Sequence, residues 1–208
     1  MTKLFTTLLI ALGTNLFAQD QVAKDVLDRL SSTTKSYKNM AVDFDFIFEN
    51  KNQNIYEKQK GILVLQEEMF RLEMEEQIII NDGESQWIYL ADMNEVQIME
   101  HDPKEQMMSP NKLFTIYEEG YKYTYVGSEA EKGKRLQIID LLPEESGAFI
   151  KVTLVVDAAK NQLHKITMHD KNGGTYSYLV TSFKSNTAIA PFIFNTVNYP
   201  GVEVIDLR

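Results

Sequence analysis

Residues 61–90 read GILVLQEEMFRLEMEEQIIINDGESQWIYL. Short apolar runs alternate with polar ones, the period of strands that turn one face to a core. In "MFRLEM", Phe70, Leu72 and Met74 share one face, and Arg71 and Glu73 share the other. "QIIIN" and "SQWIYL" flank Asp82-Gly83, a strong short hairpin signal. The stretch therefore predicts consecutive antiparallel strands. It offers no nucleophile, metal cluster or phosphate loop, so the greasy face itself is what needs a use.

The same period extends outward. In "MAVDFDFIFEN", Val42, Phe44, Phe46 and Phe48 alternate with Asp43 and Asp45. A turn over 50–54 and a return strand from about Tyr56 to Leu65 follow. "EVQIME" continues the meander after Leu90. Regularity breaks between Asp102 and Tyr121. There "SPNKLFTIYEEGY" predicts a short helix carrying Leu113, Phe114, Ile116 and Tyr117, entered through Ser109-Pro110 and left at Gly120. Met107-Met108 precede it, and Met fills irregular apolar space. Strands resume from "YKYTYVG" onward, with a hairpin at Asn172-Gly173-Gly174. Ahead of all this, "DQVAKDVLDRLSSTTKSY" predicts an amphipathic helix with Val22, Val26, Leu27 and Leu30 inward and Asp20 as its N-cap. These elements predict an α+β protein with one large antiparallel sheet, and a sheet that long curls or closes.

The chain has 208 residues, no Cys and a formal charge of −9. Residues 1–18 predict a cleavable export signal: Lys3, an apolar stretch over Leu4–Leu12, then Ala18 before the cut. Residues 19–208 then form a single domain. No later apolar run approaches the ~20 residues of a membrane-spanning helix. Without Cys there is neither a disulfide framework nor a lipid-modified N-terminal Cys. An acidic chain with no basic stripe is ill suited to nucleic acid, whose phosphates are bound by Lys and Arg.

Candidate chemistry is thin. His164 and His169 lie five apart on one predicted strand, on opposite faces, and make no metal pair. His101 stands alone beside a turn. "DKNGG" from Asp170 resembles the start of a calcium loop, but the twelfth position is Thr181 rather than an acid. Glu67, Glu68, Glu73, Glu75 and Glu76 read as a wet strand face and turn. No nucleophile elbow or P-loop pattern occurs. The residues point to no enzyme, no metal and no cofactor.

The ordered set of elements resembles the outer-membrane lipoprotein carrier (LolA) family of bacterial periplasms. The likeness rests on the amphipathic leading helix, Asp43-Phe44, Gly61 with Leu63 and Leu65, and Phe70-Arg71-Leu72-Glu73. It continues through Asp82-Gly83 with Trp87 and Tyr89, the inserted "SPNKLFTIYEE", then Phe192, Phe194 and "PGVEVID". The resemblance implies a half-open antiparallel β-barrel, one curved sheet of about ten or eleven strands, with helices covering the concave face. It implies an acyl-chain cavity lined by Phe44, Phe46, Phe48, Ile62, Val64, Phe70, Leu72, Met74, Trp87 and Tyr89. The expected lid residues are Met107, Met108, Leu113, Phe114, Ile116 and Tyr117. Implied partners are acylated lipoproteins, an inner-membrane lipoprotein-releasing transporter and an outer-membrane acceptor, served by a monomeric periplasmic chaperone. Gln66-Glu67-Glu68 stands where family members often carry a basic residue followed by Pro, so no latch residue carries over. Beside the carrier that the resemblance implies, two alternatives stay open. One is a periplasmic sensor or scaffold with the same half-barrel, binding another lipid or a protein; the other, more distant, is a secreted hydrolase.

Overall fold

The computed structural model describes residues 14–101, 116–118 and 120–208. One α-helix, α1 (Thr14–Lys35), leads into twelve strands: β1 (Met40–Asn50), β2 (Ile55–Gln66), β3 (Met69–Met74), β4 (Gln77–Asn81), β5 (Ser85–Leu90), β6 (Glu95–Glu100), β7 (Tyr121–Glu131), β8 (Lys134–Pro143), β9 (Phe149–Asp157), β10 (Gln162–Asp170), β11 (Gly174–Ser185) and β12 (Glu203–Asp206). They form a single sheet in the order β12-β6-β5-β4-β3-β2-β1-β11-β10-β9-β8-β7. Its two ends, β12 and β7, do not pair, so the curved sheet stays a half-open barrel.

The meander is antiparallel throughout, as the turn chemistry requires. At the β4–β5 turn, Gly83 takes a φ of 96°, a conformation that glycine adopts without steric cost. Asp82 Oδ1 accepts from the backbone N–H groups of Glu84 and Ser85, closing that turn. The exception to antiparallel pairing is β12, which runs parallel to β6. It is also the strand that takes the count from ten or eleven to twelve. Residues 186–202 carry the chain from β11, in the middle of the sheet, to the β12 edge by passing over the back of the sheet.

Helix α1 starts earlier than its expected cap. Asp20 lies inside the helix rather than at its N-terminus, because no Gly or Pro interrupts residues 14–35. Its inward stripe is Ala23, Val26, Leu27, Leu30 and Ser31, all buried, whereas Val22 is 40% exposed. The stripe packs on β7 and β10, covering one half of the concave face.

The core is therefore built on both sides of the sheet. The larger cluster joins α1 to Val42, Phe44, Leu63, Leu65, Phe70 and the concave residues of β8–β10. A smaller one, on the opposite face, gathers Ile80, Tyr89 and Val96 beneath Phe192 and Phe194.

Candidate functional site: the concave face

Register settles which side chains share a face. Phe44, Phe46 and Phe48 stand opposite Val180, Tyr178 and Tyr176 of β11, and Phe44 stands opposite Gly61 of β2. Gly61, Leu63 and Leu65 in turn face Met74, Leu72 and Phe70 of β3. Six of the ten residues expected to line a cavity thus lie together on the concave side: Phe44, Phe46, Phe48, Phe70, Leu72 and Met74.

The other four do not. Ile62 and Val64 pair with Asp43 and Ala41, and with Glu73 and Arg71, on the convex side. Trp87 and Tyr89 pair with Ile80 and Ile78, which pair with Arg71 and Glu73. All four sit on the convex face, and Val64, Trp87 and Tyr89 pack in the smaller cluster. The expectation went wrong because β2, β4 and β5 carry apolar residues on both faces. Alternation then fixes two faces without saying which is which, and an even residue on one strand can share a face with an odd residue on the next.

Burial grades along the concave face. Phe44 and Phe70 are 5% and 3% exposed, and lie in the packed part against α1. Phe46, Phe48, Leu72, Met74, Ile79, Tyr176 and Tyr178 are half-buried. Their rings form a ladder, with centroids 5.0 Å apart for Phe46–Tyr178 and 4.8 Å for Phe48–Tyr176. Phe149 meets Tyr176 edge-on at 5.7 Å. Burial pushes the pKa of both Tyr176 and Tyr178 up, so both phenols stay neutral. The result is a surface of rings and aliphatic chains, suited to hydrocarbon contact, with charge only at its margin: Glu57 stands opposite Phe48, and Asp170 accepts from the Tyr176 hydroxyl at 3.4 Å. Among the described residues, no group of three or more acidic, His or Cys side chains is placed to hold a metal ion.

Of the expected lid, Met107, Met108, Leu113 and Phe114 lie outside the described residues. Ile116 and Tyr117 fall in a single 3-10 turn, Ile116–Glu118. Tyr117 is buried against α1, its hydroxyl donating to the carbonyl of Leu27 at 2.9 Å. Burial is the main cause that raises its pKa to about 12. Beside it, Glu118 accepts from Ser31 Oγ at 2.6 Å and Lys35 Nζ at 2.5 Å. Those two bonds, the one from Lys35 foremost, hold the Glu118 carboxyl below the usual range. The chain thus leaves the sheet at β6, next to the edge strand β12, and returns at β7, the opposite edge, pinned to α1 just before it re-enters.

The convex side has its own cover, which periodicity could not reveal. Residues 186–202 form a belt across β2–β6. Phe192 and Phe194 are buried, and Phe194 stacks on Tyr199 at 4.7 Å. Arg71, which points away from the concave face, grips this belt. Its Nη2 donates to the carbonyls of Pro191 at 2.9 Å and Ile193 at 3.2 Å. A cleft of about 470 Å³ remains between the belt and β2–β3.

Known proteins agree with this architecture. The family profile described as outer membrane lipoprotein carrier protein LolA matches residues 35–197. An outer-membrane lipoprotein carrier protein of Legionella pneumophila (strain Corby) is 24% identical over 210 residues, covering 99% of each chain. An uncharacterised conserved protein of Thermus thermophilus superposes with a TM-score of 0.57 at 12% identity, over 89% of this chain and 99% of that one. The Mycobacterium tuberculosis lipoprotein LppX gives 0.50 at 10% identity, over 83% and 99%. Both structures share the fold. With a family match spanning most of its length and the half-open barrel that carries it, this chain belongs to the outer membrane lipoprotein carrier (LolA) family, whose members are periplasmic carriers rather than enzymes.

Proposed function

We propose that this protein shelters the acyl chains of lipoproteins against its concave face and delivers them to the outer membrane. The observation that carries the reading is the half-buried ladder of Phe46, Phe48, Tyr176 and Tyr178, continued by Leu72 and Met74. Each buried CH₂ is worth ~0.8 kcal/mol, so a ~16-carbon chain costs roughly 12 kcal/mol when bare in water. An anchor of several chains needs an escort. A broad face of rings supplies affinity without one fixed pose, which suits a cargo that must be given up again.

In this reading the chain works as a monomer, exported by a signal cut after Ala18. It receives cargo from an inner-membrane releasing transporter and passes it to an outer-membrane acceptor. Titration with a fluorescent fatty acyl probe tests the core of it. Saturable binding, displaced by purified acylated lipoprotein and not by the same protein without its lipid, supports the carrier. A probe that does not bind, or that lipoprotein leaves in place, sinks it.

A further inference from the structure

The concave face is not apolar everywhere. On β4, β5 and β6 the positions that share it are Gln77 and Ile79, Ile88 and Leu90, then Glu95 and Gln97. Gln77, Glu95 and Gln97 are half-buried. Gln97 Nε2 donates to Glu95 Oε1 at 2.8 Å, which fixes the Gln97 amide on that face. Gln77 lies on β4, next to β3, and Gln97 stands at the level of Leu72 three strands away, in line with Ile79 and Ile88. Strands lie about 4.8 Å apart, so a ligand that runs from Leu72 across Ile79 and Ile88 reaches both amides.

A surface meant for hydrocarbon alone would be penalised by this placement. Covering an amide with alkyl chain removes its water without replacing the hydrogen bonds, which weakens binding. The cost vanishes when the ligand itself brings carbonyl acceptors and N–H donors. Acylated cysteinyl peptides do so: ester and amide carbonyls sit where the chains meet the polypeptide. We propose that Gln77 and Gln97, with Glu95 orienting the latter, form a subsite on β4–β6 for the ester, amide and first peptide groups of the cargo. The acyl chains run beside it, over Leu72 and the ring ladder. The subsite rests on the carrier reading and adds to it a preference for lipid joined to peptide over lipid alone.

Two probes separate the claims, a fluorescent fatty acid and a fluorescent dipalmitoylglyceryl-cysteinyl peptide. Binding of both, with the peptide bound more tightly, is expected for the wild-type chain. Gln97→Leu and Gln77→Leu should each weaken the lipopeptide about three- to tenfold, the worth of one hydrogen bond. Fatty acid binding should hold or tighten, which also shows that the variants fold. If both probes bind and the substitutions leave their ratio unchanged, the subsite is refuted while the carrier stands. If neither probe binds the wild-type chain, the carrier reading fails and the subsite with it.

Discussion

The ring of Phe44 lies over the backbone of Gly61, its register partner on β2, so closely that a Cβ at position 61 would overlap the ring tip. This contact fills the middle of the concave face at the seam between β1 and β2. It explains a glycine inside a twelve-residue strand, where glycine otherwise weakens pairing.

Gly61→Ala is therefore expected to destabilise the protein by about 1–3 kcal/mol, the cost of overpacking a tight core. In a strand with no special backbone demand, the same change would stabilise by reducing unfolded-state freedom. Urea unfolding distinguishes the two signs. Phe44→Leu in the Gly61→Ala background should recover part of the loss by giving the methyl room, whereas Phe44→Leu alone should destabilise. An unchanged or raised midpoint for Gly61→Ala contradicts the contact.

Trp87 packs on the convex face, opposite the ring ladder. Its emission is expected to stay unshifted when an acyl ligand binds. A Phe48→Trp variant, placing indole on the concave face against Tyr176, should instead shift to the blue on titration. Fluorescence of the two proteins with one saturating ligand is the check. A large shift from Trp87 with none from position 48 would put the ligand on the wrong side of the sheet.

Arg71 donates to two belt carbonyls and lies 3.6 Å from Glu73. Arg71→Ala should cost about 0.5–1.5 kcal/mol, the net worth of a hydrogen bond whose carbonyls water can reach. The damage is expected to be local. Limited proteolysis should cut first within 187–202, and affinity for an acyl probe should change less than twofold. Arg71→Lys keeps the charge but loses the planar fork, so it should protect the belt only partly.

Glu118 holds the re-entry turn to α1 through Lys35 and Ser31. Its pKa is lowered in the folded state, so the group favours folding above its ordinary range. That contribution fades as pH falls through the lowered folded value, because protonation then removes the charge that Lys35 meets. Hydrogen-exchange protection at 117, 118, 120 and 121, corrected for the intrinsic rate at each pH, should accordingly fall in acid in the wild-type chain. Glu118→Gln should show the lower protection already at neutral pH and lose the acid dependence. Equal pH profiles for the two proteins would remove the staple from consideration. The pair is partly exposed, so the global unfolding midpoint should scarcely move.

Much of the fold was written locally. Alternation around Phe44, Phe46 and Phe48, and again around Phe70, Leu72 and Met74, depends only on the two-residue period of a strand. The turns at Asp82-Gly83 and Asn172-Gly173 depend on φ preferences of single residues. The inward stripe of α1 follows from helical spacing, although the neighbour Ala23 took the place expected of Val22. Arg71 was correctly read away from Phe70, since both lie on one strand and parity cannot slip within it.

What failed to read out needed relations between strands. Trp87, Tyr89, Ile62 and Val64 alternate as regularly as the concave residues, yet belong to the other face. Choosing the face requires knowing how each hairpin sets its register, and whether anything covers the back. The cover is the belt of Phe192, Phe194 and Tyr199, more than ninety residues further along the chain than Tyr89 and Trp87. The parallel pairing of β12 with β6, the Glu118 staple on α1 and the alignment of Gln97 with Leu72 across β4 and β5 are likewise relations across sequence distance. By itself the sequence determined the strands, their turns and an apolar surplus too large for one face. Tertiary structure alone divided that surplus between a belt-covered convex core and a partly open concave surface, because burial depends on which distant segment covers each face.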